Sequence, residues 1–374
     1  MGKKNRLVFA GTYSEVITLG TGEVLQSKGE GIYTFRMNPE TGELTLLQKA
    51  VGEPNPTYLV LDKSKRYLYS TNELKTFRGI ASGAASSFEV NPKTGRLTLL
   101  NRQITGGTDA VHILLNKDST HAFVANFMSG SVSVLPINQD GSLDKVSCFL
   151  QHKGTGPNPV RQRGAHAHGF ELDRLQKRAF VPDLGCDKVF VYDIDYENGH
   201  LYAAPHPFVS LHPGEGPRHC VLDSTGRFLY VINEMGNTIY VFAYNEDTSE
   251  LKELQIVPTI PPDFTGHSTC STVKIHPNGK FLYGSNRGHD SVALYSIDPD
   301  TGLLTMIDII PTGGRTPRDF EFDPEGNFMI AGNQDSHVLV VFKVDGTTGA
   351  LTEVQRVENI FTVTCLKIYD IDDV

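Results

Sequence analysis

Phe228-Leu229-Tyr230-Val231-Ile232-Asn233 is the stretch that decides the fold, because versions of it recur along the whole chain. Each version is a short run of β-branched and aromatic residues that ends in a small polar residue. The other versions occupy residues 7–12, 67–72, 122–126, 179–183, 281–286 and 328–333. From the second run onward, consecutive runs end 47 to 57 residues apart. The chain is therefore built from seven repeat units of about 50 residues.

Each unit carries further strand and turn signals around this run. A turn such as Asp223-Ser-Thr-Gly-Arg precedes it, and an alternating strand such as residues 238–244 follows about ten residues later. That strand ends at a turn such as Asn91-Pro-Lys-Thr-Gly95, and a more exposed fourth strand comes next. Four short strands per unit predict an all-β fold, a seven-bladed β-propeller with four antiparallel strands per blade. Sandwich domains need larger units and β-helix coils are shorter, so both are disfavoured.

The two ends of the chain are expected to share a blade. Residues 361–368 form an extra alternating strand after the last unit. We expect it to be the innermost strand of the blade whose other strands begin at Leu7. The C-terminal strand would then close the ring and leave no sheet edge open. We expect one propeller domain over residues 1–374.

Composition argues against several classes of function. The net charge is −9 without a basic block, which argues against nucleic acid and against an anionic membrane surface as partners. The five cysteines are scattered, with no Cys-x-x-Cys pair, and are predicted to be reduced thiols. The N-terminus runs from Met1 straight into the strand at Leu7, which is too short for a signal peptide. We expect a cytoplasmic protein that acts on a small molecule, and the oligomeric state stays open.

Polar side chains are predicted to converge at one end of the central channel. Counting back five positions from the turn residues Asp173, Asp223 and Asp323 gives His168, Arg218 and Arg318. The second strand of a blade is antiparallel to the first, so its end lies at the same mouth. The positions just after the recurrent Asn hold Glu73, Phe127, Leu184, Glu234, Arg287 and Gln334. Two registers therefore place His168, Arg218, Glu234, Arg287 and Arg318 together, with His166, His219, His289 and Asp319 beside them.

This set of side chains points to an anionic ligand and to proton transfer. Guanidinium groups bind carboxylate or phosphate in a bidentate manner. A Glu and a His held close together can move a proton to or from a reacting group. Any single member can also serve only to bond neighbouring blades. His166 and His168 lie on one face of a strand, but the arginines would repel a metal cation, so a metal site is the minor interpretation.

At these residues the chain resembles the seven-bladed propeller lactonase family, which contains propeller-type 6-phosphogluconolactonases and carboxy-cis,cis-muconate cyclases. The matching segments are residues 154–159, 166–169, 216–219, 232–234, 285–290, 316–319 and 333–336. The resemblance implies catalytic roles for His168, Arg218, Glu234 and Arg287, with His168 and Glu234 moving protons in an order left open. It implies substrate-binding roles for His166, Arg163, His219, His289, Arg318 and Asp319, with Arg318 or Arg163 at a phosphate. No cofactor or metal is required.

The resemblance favours hydrolysis of 6-phosphogluconolactone to 6-phosphogluconate, in the oxidative pentose phosphate pathway. One alternative is a lactonising cyclase of the muconate type or a lactonase for another acidic lactone. Another alternative is a non-catalytic propeller that serves as a binding platform. The insertion at residues 14–30 is expected to reshape the mouth, in a way that the sequence leaves open.

Overall fold

The computed structural model describes residues 5–371, which fold into seven four-stranded antiparallel sheets, one per repeat unit, with no helix among them. The first blade and its insertion contain β1 (Arg6–Thr12), β2 (Ile17–Thr18), β3 (Val24–Leu25), β4 (Ile32–Met37) and β5 (Leu44–Ala50). Blades two and three contain β6 (Leu59–Leu61), β7 (Tyr67–Asn72), β8 (Ala84–Val90), β9 (Leu97–Ile104), β10 (Ala110–Leu115), β11 (His121–Asn126), β12 (Ser131–Pro136) and β13 (Cys148–Gln151). Blades four and five contain β14 (Glu171–Leu172), β15 (Arg178–Asp183), β16 (Lys188–Asp195), β17 (His200–Ser210), β18 (Pro217–Leu222), β19 (Phe228–Asn233), β20 (Thr238–Tyr244) and β21 (Leu251–Pro258). Blades six and seven, with the closing strand, contain β22 (Thr269–Ile275), β23 (Phe281–Arg287), β24 (Ser291–Ile297), β25 (Leu304–Pro311), β26 (Pro317–Phe322), β27 (Phe328–Asn333), β28 (Val338–Val344), β29 (Leu351–Glu358) and β30 (Val363–Asp370).

The C-terminal strand closes the ring as predicted. β30 pairs antiparallel with β1, from Arg6 opposite Asp370 to Thr12 opposite Val363, and the sheet order is β30-β1-β4-β5. The fully buried Arg6 reinforces the closure, because Nη1 lies 2.5 Å from Asp323 and Nε lies 2.7 Å from Asp370. One guanidinium thus joins the start of the chain, the last complete blade and the closing strand.

The hydrophobic core lies between the blades rather than at the centre of the ring. Residues 5–371 contain one large apolar cluster at each of the seven blade interfaces. At the interface that joins the last blade to the first, Val8 and Phe35 pack against Phe328 and Ile330. Alternate residues of each strand therefore face the two neighbouring blades, and the channel is left for polar groups.

In blades two, four, five and seven, an aspartate fixes the turn before the recurrent run, as the sequence indicates. Asp223 Oδ1 accepts hydrogen bonds of 2.8 Å from the amides of Arg227 and Phe228, and Gly226 takes a φ of +76° within the turn. The same bond joins Asp323 to the amide of Phe328 at 2.7 Å. Because these turns are equivalent, positions counted from their aspartates lie at one level of the channel.

The cysteines are all buried and free. Between Asn5 and Ile371, no helix is long and apolar enough to cross a membrane. The first four residues, on which the expectation about a signal peptide partly depends, lie outside the described residues.

Candidate active site

Irregular pairing of the innermost strands aims side chains into one mouth of the channel. The ladders shift register between Pro217 and His219 in β18 and between Pro317 and Asp319 in β26, so that Arg218 and Arg318 are the extra residues of two equivalent bulges. A β-bulge bends its strand and redirects a side chain. In the fourth blade the amide of His168 donates to the carbonyl of Pro182 at 3.0 Å. His168, Arg218 and Arg318 line one small cavity, as the register count predicts.

Glu234 lies at the centre of three guanidinium groups. Its Oε2 accepts from Arg218 Nε at 3.1 Å and lies 2.9 Å from Arg287 Nη2, and its Oε1 accepts from Arg161 Nη2 at 2.6 Å. The side chain is only 4% exposed. Backbone carbonyls complete the arrangement, because Ser271 accepts from Arg218 at 2.6 Å and Cys270 accepts from Arg287 at 2.8 Å. The structure thus brings Arg218, Glu234 and Arg287 together, three of the five side chains that the register count places at this mouth.

The electrostatics of this cluster favour an anionic ligand. Burial alone would raise the pKa of Glu234, but Arg287, Arg161 and Arg218 hold that pKa well below its usual value. Burial and the neighbouring Arg287 lower the pKa of Arg218. One carboxylate cannot neutralise three guanidinium groups, so the cluster keeps a net positive charge. An anion bound here would gain charge-assisted hydrogen bonds.

A second group occupies the other side of the mouth. Arg318 Nη2 donates to the hydroxyl of Tyr13 at 2.8 Å, and that hydroxyl donates to Glu73 Oε1 at 3.0 Å. Arg318 Nη1 also donates to Gln334 Oε1 at 3.2 Å. The hydrogen-bond partners of Arg318 are therefore the uncharged side chains of Tyr13 and Gln334 rather than a carboxylate.

The imidazoles at the floor of the mouth are neutral. Burial and the nearby Arg218 lower the pKa of His168 and of His219 well below the usual value. The ring centroid of His219 lies 5.3 Å from the centroid of His168, 5.3 Å from that of His112 and 5.9 Å from that of Tyr58. Tyr58 and His219 line both the small cavity at the mouth and a larger one of about 360 Å³ further along the channel. These rings thus form the partition between the two cavities.

Two of the predicted substrate-binding residues, Asp319 and His289, also bond other parts of the fold. Asp319 lies 3.1 Å from Lys274 Nζ and accepts from the amide of Leu366 at 2.8 Å, which ties β26 to the closing strand. His289 bonds the hydroxyl of Ser291 at 2.7 Å and packs on the ring of Phe264.

His166 and Arg163 lie outside the arginine cluster. The ring of His166 stacks on Phe127 and bonds its carbonyl at 2.8 Å. Arg163 is exposed and donates to the carbonyl of Pro159. Both residues line a cavity of about 850 Å³ between the insertion hairpin and the loop before blade four. Their roles remain predictions.

Three residues of the mouth were not among the predicted site residues. Tyr13 and Glu73 occupy the position just after the recurrent run in blades one and two, the register that also identifies Glu234. That shared register was the available signal. Arg161 lies in the loop at residues 151–164, where no repeat pattern specifies its direction.

Several polar atoms of the mouth have no hydrogen-bond partner among the described residues. They are His168 Nδ1, Glu73 Oε2, Arg161 Nε and Arg287 Nε. Leaving such an atom buried and unsatisfied costs about 1–3 kcal/mol. A ligand bound at the mouth can supply partners to these atoms. Residues 5–371 contain no cluster of three or more His, Cys, Asp or Glu side chains that could hold a metal.

The fold and the mouth together define a propeller whose cationic cluster can bind an anion and stabilise an oxyanion. The sequence model of the family described as lactonase, 7-bladed beta-propeller, matches residues 7–368. The chain belongs to this family. It is therefore an enzyme of the lactone hydrolase class.

The chain aligns with several relatives over most of the length of both proteins. It is 32% identical over 302 residues to the 6-phosphogluconolactonase of Bacillus subtilis, which covers 80% of this chain and 83% of that protein. It is 30% identical over 303 residues to a 6-phosphogluconolactonase of Formosa agariphila, covering 78% and 82%. The solved structure of a periplasmic gluconolactonase from Pseudomonas aeruginosa superposes with a TM-score of 0.89 at 32% identity, covering 98% of this chain and 99% of that one.

Proposed function

We propose that the protein hydrolyses 6-phosphogluconolactone to 6-phosphogluconate, the ring-opening step of the oxidative pentose phosphate pathway. The observation that carries the proposal is the cluster of Arg161, Arg218 and Arg287 around the single carboxylate of Glu234. Ester hydrolysis passes through a tetrahedral oxyanion, and preorganised donors in a buried site stabilise it. The names of the Bacillus subtilis and Formosa agariphila relatives support the phosphorylated substrate.

Glu234 acts in this proposal as the anchor of the arginines rather than as the group that moves the proton. A carboxylate whose pKa lies well below its usual range is a weak base near neutral pH. Its three ion pairs hold the guanidinium groups in one orientation before substrate arrives. Arg218 and Arg287 then stabilise the oxyanion.

The phosphate is assigned to the outer cavity of about 850 Å³ rather than to Arg318. Arg163, Lys75 and Lys153 line that cavity, and among the described residues none of the three forms an ion pair with a carboxylate within 4 Å, although the Lys75 charge acts on Asp109. Arg318 is already engaged by Tyr13 and Gln334. A lactone carbonyl at the arginine cluster and a phosphate in the outer cavity would use both cationic regions.

A second candidate substrate is unphosphorylated gluconolactone, which the name of the Pseudomonas aeruginosa relative favours. The cytoplasmic location belongs to the proposal as well, since 6-phosphogluconolactone is an intracellular sugar phosphate. Cell fractionation tests the location.

The two substrates are separated by measuring kcat and KM on both lactones, corrected for spontaneous hydrolysis. We expect Arg218→Ala to lose turnover on either lactone. We expect Arg163→Gln to raise KM about tenfold, the equivalent of about 1.4 kcal/mol, for the phosphorylated lactone only. Arg356→Gln removes another exposed arginine, one that pairs with Glu353 on β29, and is the matched control. Equal turnover of both lactones, unchanged in Arg163→Gln, contradicts the phosphorylated substrate.

A further inference from the structure

Glu73 is a buried carboxyl group that the family resemblance does not use. It follows β7 at the mouth and is 6% exposed. Its amide donates to the carbonyl of Asn55 at 3.0 Å, and its own carbonyl accepts from Asn55 Nδ2 at 3.2 Å. The backbone of Glu73 is therefore held from both sides by Asn55.

Only one oxygen of this carboxyl group has a hydrogen bond of ordinary geometry, although the nearby Thr57 hydroxyl also lowers the pKa of the group. Oε1 accepts from the Tyr13 hydroxyl at 3.0 Å, whereas Oε2 is buried with no hydrogen-bond partner among the described residues. The neighbouring Arg318 donates to Tyr13 and forms no ion pair with Glu73 within 4 Å. A buried carboxylate oxygen without a partner is costly, so a water or a reacting group is needed to complete it.

The side chain lines the small cavity below the arginine cluster. The same cavity is lined by His168, whose Nδ1 is the other unpartnered atom there, and by Arg218 and Arg318. Its volume of about 10 Å³ corresponds to roughly one water position. A water at this place would lie between a carboxylate oxygen, a neutral imidazole and two guanidinium groups.

We propose that Glu73 is the catalytic base that activates the hydrolytic water, and that it returns the same proton to the leaving ring oxygen. This inference rests on the proposed lactone hydrolysis. Glu73 takes a proton from water as the water oxygen bonds to the lactone carbonyl carbon, and Arg218 stabilises the oxyanion. The intermediate then breaks the bond between that carbon and the ring oxygen, which receives the proton from Glu73. The carboxylic acid product releases its own proton to solvent, so the enzyme returns to its starting state.

The surroundings of Glu73 suit this role better than those of Glu234. Burial raises the pKa of Glu73, and Arg318 offsets part of this effect. A base is most effective when its pKa approaches the working pH. The charged and titratable groups that act on Glu73 are Tyr13, Arg318 and Arg218. Asp109 also lies nearby, because the charge of Glu73 raises the pKa of Asp109.

The test is the pH dependence of kcat/KM, measured from pH 5 to 8 on both lactones with wild type, Glu73→Gln and Asp109→Asn. Wild type should lose activity as pH falls, because protonated Glu73 cannot accept a proton. We expect Glu73→Gln to lower kcat about 100-fold or more and to change KM less than threefold. The decline of kcat/KM at low pH, the acidic limb of the profile, should disappear in this variant. Asp109→Asn should keep the limb, although burial and Glu73 raise the pKa of Asp109 to about 7. If Glu73→Gln fails to fold, Glu73→Asp keeps the carboxylate and should retain the limb at a lower kcat.

The outcomes separate this inference from the proposed substrate. A limb that persists in Glu73→Gln with kcat within threefold of wild type overturns the assignment of Glu73, as does a limb lost only in Asp109→Asn. Turnover of gluconolactone alone overturns the phosphorylated substrate, and Glu73 is then judged on gluconolactone. A wild type that accelerates neither lactone overturns both proposals.

Discussion

Replacing Glu234 by Gln tests whether this carboxylate anchors the arginine cluster. The variant keeps the shape of the side chain but exchanges one acceptor oxygen for a donor NH₂ group that must face a guanidinium. Three contacts of 2.6 to 3.1 Å lose their negative charge. Removing one partner of a buried ion pair typically costs about 3–5 kcal/mol. Because Arg161 and Arg287 are 15% and 16% exposed and can turn toward solvent, we expect about 3 kcal/mol here.

The corresponding thermal shift is small because the chain is long. With an unfolding entropy of about 2.1 cal/mol/K per residue and 374 residues, about 3 kcal/mol lowers Tm by roughly 4 °C. Displaced guanidinium groups should also lower kcat/KM about 100-fold. Calorimetry and lactone hydrolysis at pH 7 measure the two effects.

The pH dependence of the stability loss provides the sharper readout. The folded pKa of Glu234 is depressed, so its contribution to stability is fully present above the unfolded value of about 4.5 and is lost as pH falls through the folded pKa. The difference in unfolding free energy between wild type and Glu234→Gln should therefore shrink below pH 4.5. A difference under 0.5 kcal/mol at pH 7, or one that does not change with pH, refutes the anchoring role.

Two further predictions concern the closure of the ring. Asp319→Asn weakens the bonds of this carboxylate to the Leu366 amide and to Lys274, so we expect chemical denaturation to show an unfolding free energy lower by about 2 kcal/mol. The control Asp308→Asn, on exposed β25, should change the unfolding free energy by less than about 0.5 kcal/mol. Equal effects of the two substitutions would contradict a special role for Asp319. Ending the chain at Glu358 removes β30 and uncovers β1, and we expect the product to be insoluble, as measured by its soluble fraction beside the full chain. A soluble truncated chain with the native circular dichroism spectrum would refute the importance of closure.

The repeated strand pattern was sufficient to predict the fold and part of the site. Hydrophobic runs with a fixed polar end specify strand register, and register specifies which side chains share a level of the channel. Arg218 and Glu234 were found in this way, since Arg218 lies a fixed five residues before the turn aspartate Asp223 and Glu234 directly follows β19.

Other features depend on contacts that no strand pattern records. Arg161 reaches Glu234 from an irregular loop, whose path is set by tertiary contacts. The neighbours of the bulged residues were harder to place, because a bulge breaks the alternation of faces. Asp319 consequently bonds Lys274 and the closing strand, although it also lines the small cavity at the mouth beside Arg318.

The pairing of β1 with β30 also has a consequence for synthesis on the ribosome. Thr12 leaves the exit tunnel long before its partner Val363 is made. At about 5–20 residues per second, the inner edge of β1 waits roughly 20 to 70 s for its complement. During that interval the first blade presents an unpaired strand edge to every other nascent chain nearby. The first blade to be synthesised is therefore the last to be completed, and chaperone demand should be greatest just before translation ends.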